Sequence, residues 1–136
     1  VETRTDVALA FLRRWSAEWW LLSAIDPDKR GGIDTACFTP DEEPDCRRFL
    51  ERHGRQWNIY FSVNPPRYRM QKKAERGDIA RVEWLHVDVD PRIGEDLVAE
   101  QARILALFRK PPDGIPAPSA IIFSGGGYQA FWRLAE

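Results

Sequence analysis

The first regular signal along the chain is "TDVALAFLRRW", where Val7, Ala8, Phe11, Leu12 and Trp15 recur at helical spacing and Thr5 is available as an N-cap. An amphipathic helix is expected there. "WWLLSAI" is an apolar run too short for a good helix. After the turn-forming "DPDKRGG", the segment "IDTACFT" sets Ile33, Thr35, Cys37 and Thr39 against Asp34, Ala36 and Phe38, so two strands joined as a hairpin are predicted. Helical spacing then returns. Thr39 and Glu42 have the separation of a capping box, Pro40 fits the first helical position and Pro44 delays the start. Cys46, Phe49, Leu50 and His53 share a face, and Gly54 is the stop.

"WNIYFSV" is a dense run of β-formers, expected as a buried strand that ends at Asn64-Pro65-Pro66. In "VEWLHVDVDPR" strand alternation puts Trp84, His86, Asp88 and Asp90 on one face and Leu85, Val87 and Val89 on the other. Asp96 can then cap a helix whose Leu97, Ile104, Leu105 and Phe108 form a stripe, with Pro111-Pro112 ending it. "PSAIIFS", "GGG" and "YQAFWRL" read as strand, turn and strand. No repeat or low-complexity segment interrupts this order. The order predicts an α+β fold, with a mixed, mostly antiparallel sheet flanked by helices.

A length of 136 residues, with 43% hydrophobic and 30% charged positions, fits one domain spanning 1–136 with a genuine core and excludes wholesale disorder. The net charge of -1 hides a local asymmetry: "RYRMQKKAER" carries Arg67, Arg69, Lys72, Lys73 and Arg76, whereas "TPDEEPD" is acidic. A basic segment in a near-neutral chain points to a local anionic partner and not to a general nucleic-acid coat. Cys37 and Cys46 are too few for a four-ligand zinc site, and no signal peptide or spanning apolar segment is visible. A reduced, cytoplasmic protein with no membrane partner is expected. The last residues, "FWRLAE", form a strand-like run with no closing loop. That ending raises the expectation of a truncated domain.

The chemistry concentrates at Asp88 and Asp90. Two carboxylates on one strand face repel unless a cation lies between them, and hard oxygen donors with no Cys/His cluster favour Mg²⁺ or Mn²⁺ over zinc. The simpler alternative is a pair of exposed polar residues before Pro91. "SGGGYQ" is at least a glycine-filled hairpin turn. As a site, it would bring the backbone N–H groups of Gly125, Gly126 and Gly127 to phosphate oxygens, with Ser124 and Gln129 as side-chain donors and Arg133 on the same strand face as Gln129. Lys72 and Lys73 in the basic loop add charge for a triphosphate or a template, against the plain reading of a solvated connection. His86 shares the aspartate face, where a structural role is the simpler one. Tyr60, Trp84, Tyr128 and Trp132 could stack on bases, although tryptophans in a chain this size mostly supply core.

In this order, "WLLSAIDPDKRGGIDTACF", "NIYFSVNPPR", "VEWLHVDVDPR" and "PSAIIFSGGGYQAFWRL" resemble the archaeo-eukaryotic primase superfamily, in particular the RepB-like branch of phage and plasmid replication proteins. The third stretch is similar to that family's metal-binding hydrophobic-Asp-x-Asp motif and the fourth to its Ser-Gly-x-Gly-x-His motif. The resemblance implies an RRM-like primase-polymerase core that joins nucleoside triphosphates on a single-stranded DNA template. Asp88, Asp90 and Gln129 would be its catalytic residues, Asp88 and Asp90 its ligands for Mg²⁺ or Mn²⁺, and a helicase or further replication domains its partners. Two departures stand out. Gln129 occupies the place of the motif's histidine, and the third acidic motif expected after the hairpin has no residues to occupy it, since the terminal Glu136 is the sole acidic residue after Arg133. Impaired activity of the isolated chain is therefore expected. A non-catalytic nucleic-acid-binding module of the same fold is the alternative, and an unrelated metal-dependent transferase using the Asp-Val-Asp is a third.

Overall fold

The protein is described here from a computed structural model covering residues 1–28 and 30–134. Lys29 in the predicted hairpin turn and the terminal Glu136 lie outside the described residues. Contacts divide the chain into two compact units, Val1–Val82 and a second beginning at Glu83.

The first unit opens with α1, Arg4–Trp15. Thr3 caps it, not Thr5: its hydroxyl accepts the Asp6 N–H at 3.1 Å while the Asp6 carboxylate accepts the Thr3 N–H at 2.8 Å. A reciprocal box needs an acidic or amide side chain three residues on, which Thr3 has in Asp6 and Thr5, followed by Ala8, lacks. Leu9, Leu12 and Trp15 are buried and Val7 is exposed. The expected hairpin forms from β1, Trp20–Ile25, and β2, Ile33–Phe38. A 3-10 turn, Pro40–Glu42, carries the Thr39–Glu42 box and leads into α2, Glu43–His53, which buries Cys46, Phe49 and Leu50.

The third strand, β3, Asn58–Phe61, pairs antiparallel with β1 and gives the order β2-β1-β3. Central β1 supplies Trp20, Leu22 and Ala24 to a core with Leu9, Leu12, Phe38, Cys46, Phe49 and Leu50. The sequence read β3 as a buried strand, but as an edge strand it packs only Ile59 and Phe61 against this core, while Asn58 and Tyr60 are exposed.

The second unit contains β4, Trp84–Val89, then α3, Leu97–Arg109, then the hairpin of β5, Ala120–Phe123, and β6, Tyr128–Arg133. The order is β4-β6-β5, and both pairings are antiparallel. Among the described residues both sheets are antiparallel, where a mixed sheet was expected. The reason is that β6 inserts between β4 and β5, so the two strands joined through α3 never touch. Ile104 and Phe108 of α3 pack on Ala130, with Val89, Ile121, Tyr128 and Trp132 around them. Leu97, expected in the α3 stripe, is exposed, and Glu100 is buried in its place. The fold is α+β, with antiparallel sheets flanked by helices.

Candidate functional site

Strand alternation decides what the sheet of the second unit presents on the face away from α3. Val89, Ala130, Tyr128 and Trp132 pack with the helix, so Trp84, His86 and Asp88 of β4 and Gln129, Phe131 and Arg133 of β6 take the other face. The register sets them opposite one another as Trp84 with Arg133, His86 with Phe131 and Asp88 with Gln129. Each pairing is also a side-chain contact. The Arg133 guanidinium lies 5.6 Å from the Trp84 ring centre, the His86 and Phe131 rings stack at 5.8 Å, and Gln129 Nε2 points at Asp88 Oδ2 from 3.5 Å. The last distance is at the outer limit of a hydrogen bond. The amide thus marks the carboxylate's position without neutralising it.

Asp90 lies one residue beyond the end of β4, and both aspartates are exposed. Across from them the turn 124–127 closes the β5–β6 hairpin. Ser124 N–H donates to Gly127 O at 3.0 Å, and Gly127 N–H donates to Ser124 Oγ at 3.2 Å. Gly125 takes a positive φ of 102°, a conformation that favours glycine. Gly127 is glycine for a different reason: it is buried, and a Cβ on it would lie 2.0 Å from Val89 O and 3.1 Å from Asp90 Cα. The turn's backbone is thereby seated directly on the segment carrying the aspartates. Among the described residues the N–H groups of Gly125 and Gly126 have no hydrogen-bond acceptor, and both glycines are exposed.

The structure therefore brings together Asp88, Asp90, Ser124, Gly125, Gly126, Gly127 and Gln129. Arg133 shares the face but lies four residues along β6 from Gln129, roughly 13 Å at strand rise, and its guanidinium is engaged with Trp84. Lys72 and Lys73 are exposed and belong to the first unit. Their loop is partly committed to structure: Arg69 donates to both Glu42 carboxylate oxygens and to Cys37 O, and lies 5.0 Å over Trp19. Of the candidate stacking aromatics, Trp84 is buried, Tyr128 and Trp132 pack with α3, and Tyr60 is exposed.

Sequence reasoning missed Glu100. This carboxylate is buried and receives donors from Arg92 and Arg103. Arg103 first, and then Arg92, hold it far below the usual carboxylate range. A signal was present, because Glu100 is one helical turn before Ile104 on the buried stripe and an arginine follows three residues later.

The donor set can be tested against Mg²⁺ or Mn²⁺. Among the described residues no three His, Cys, Asp or Glu side chains are grouped to hold a metal. Two exposed carboxylates do suit an ion that keeps several waters and takes its remaining ligands from a substrate's phosphates. Arg92 and Arg103, the two guanidiniums in the stretch from Asp88 to Arg103, are both paired with Glu100.

Cavities of about 610 and 790 Å³ lie in the first unit, the former lined by β2, α2 and Arg69, the latter by α1, α2 and β3. Neither is lined by a residue of the aspartate site. The chemical donor set, and not concavity, singles out the strand end. Both cysteines are free and buried, and burial pushes the Cys46 thiol up to about 12. Among the described residues no helix is long and apolar enough to cross a membrane. No protein-family model, curated protein or solved structure matches the chain.

Proposed function

We propose that this chain is the catalytic domain of a primase-polymerase, with an RRM-like core, acting in phage or plasmid replication on a single-stranded DNA template. The observation that carries this reading is the seating of the glycine turn on the Val89–Asp90 segment, where a Cβ on Gly127 would lie 2.0 Å from Val89 O. Two motifs far apart in sequence, one rich in carboxylate and one in free backbone N–H, then meet at a single strand end. That is the pairing needed to hold a metal-bound polyphosphate. Asp88 and Asp90 would hold Mg²⁺ or Mn²⁺, whose chemistry when bound is to neutralise phosphate charge and activate the attacking hydroxyl.

The chain's own residues bind and orient. The N–H groups of Gly125 and Gly126 can take phosphate oxygens without a side chain intervening. Gln129 steadies Asp88 and offers an amide hydrogen bond, uncharged at every pH. In the first unit, Lys72 and Lys73 are exposed cations that an anionic template can meet. Little covalent work falls to the protein in such a transfer, so placement and charge account for most of the rate.

Template-dependent incorporation of labelled nucleotide, with Mn²⁺ or Mg²⁺ present, tests the reading. Incorporation that disappears in Asp88→Asn supports it. Single-strand binding that needs no metal, with no incorporation by the wild type, favours a non-catalytic binding module. The absence of a three-residue ligand group among the described residues, together with Gln129, is what supports that second reading.

A further inference from the structure

Two neighbouring residues in the first turns of α3 reach the two halves of the aspartate site. Arg92, two residues past Asp90, donates its main-chain N–H to Glu100 Oε2 at 2.9 Å, its Nε to Oε1 at 3.1 Å and its Nη2 to Oε1 at 2.7 Å. Arg103 closes the other side, with Nε on Oε1 at 2.9 Å and Nη2 on Oε2 at 2.8 Å. The next residue along the helix, Gln101, donates its side-chain amide to Gly126 O at 2.9 Å. Asp90 therefore sits between two anchored points: Gly127 against its Cα on one side, and the Glu100-bound backbone of Arg92 on the other.

We infer that Glu100 and Gln101 are positioning residues, which fix the Asp90 carboxylate and the glycine turn on one rigid helix. This rests on the metal-polyphosphate reading above and assigns the support that the reading requires. Replacing a whole buried ion cluster by apolar side chains can be neutral or stabilising, but removing one partner is destabilising, so Glu100 serves stability as well as position. What an apolar side chain cannot do is accept the Arg92 main-chain N–H, and that bond sets the path of the chain directly after Asp90-Pro91. Residues behind a ligand commonly tune metal affinity in this way.

The test is calorimetric titration of the chain with MnCl₂, with thermal unfolding measured alongside. Glu100→Leu should lower Mn²⁺ affinity about 10-fold when titrated below its unfolding temperature, which should itself fall because both guanidiniums lose their shared acceptor. In an Asp90→Asn background the same substitution should change affinity no further, because the residue it positions is gone. Should Glu100→Leu fail to fold, Arg103→Gln, on a side chain 40% exposed, should give a smaller loss in the same direction. Gln101→Leu should leave the affinity for Mn²⁺ alone intact and weaken binding of a non-hydrolysable nucleoside triphosphate in its presence. Wild-type binding of Mn²⁺ with equal affinity in the Glu100 and Arg103 variants overturns the Glu100 assignment while leaving the metal reading standing. Unchanged triphosphate binding in Gln101→Leu removes Gln101. Failure of the wild type to bind Mn²⁺ overturns the metal reading and this inference together.

Discussion

The carbonyl of Val89 occupies the space where a side chain on Gly127 would begin, 2.0 Å from the ideal Cβ position. Gly127→Ala must therefore push the hairpin turn away from the end of β4. The expected cost is roughly 1–3 kcal/mol, the range for overpacking a close contact. Gly126→Ala is the control, because a Cβ there meets nothing within 4 Å, and it should change stability by no more than about 0.5 kcal/mol. Denaturant unfolding of the two variants measures the difference. Equal stability would mean that the turn and strand do not touch.

Asp88→Asn and Asp90→Asn should each weaken Mn²⁺ binding, since each removes one of the two hard anionic donors at the strand end. Each should leave stability nearly unchanged, because both side chains are exposed. Calorimetry on the wild type and the two variants decides. The same affinity in all three proteins would remove the site.

Charge reversal of Lys72 and Lys73 together should weaken binding of single-stranded DNA and flatten its dependence on salt, because exposed ammonium groups act on a polyanion as screened point charges. Titration at two ionic strengths checks both effects. An unchanged affinity and salt slope would leave the loop as a solvated connection.

The Arg69 guanidinium, followed by the Thr39 hydroxyl, lowers the Glu42 carboxyl from its ordinary 4.5 to about 2. The folded state thus favours the carboxylate more than the unfolded chain does. That stabilisation is complete above about pH 4.5 and is lost as pH falls toward 2. Both partners are partly exposed, so the contribution is screened. Thermal unfolding from pH 6 to pH 2 should fall less steeply in Glu42→Gln than in the wild type. Parallel curves would show that the pair contributes nothing in solution.

Much of the secondary structure was legible because its causes lie within a few residues. The Thr39–Glu42 box, the Asp96 cap on Ala99 N–H, the β1–β2 hairpin and the glycine turn all use partners close in sequence. Strand alternation likewise placed His86 with Asp88 on one face of β4, and Gln129 with Arg133 on one face of β6, without any knowledge of what either face would meet.

Only the tertiary structure decided the rest. That β6 enters between β4 and β5, setting Asp88 opposite Gln129, depends on which edges pair, and edge pairing is a contest among all strands at once. That Glu100 is buried while Leu97 is exposed depends on two guanidiniums arriving from either side, since a carboxylate leaves water only where donors replace its hydration. Pattern along a chain fixes which residues share a face. Whether a charge on that face can be buried is fixed by the partners that folding brings to it.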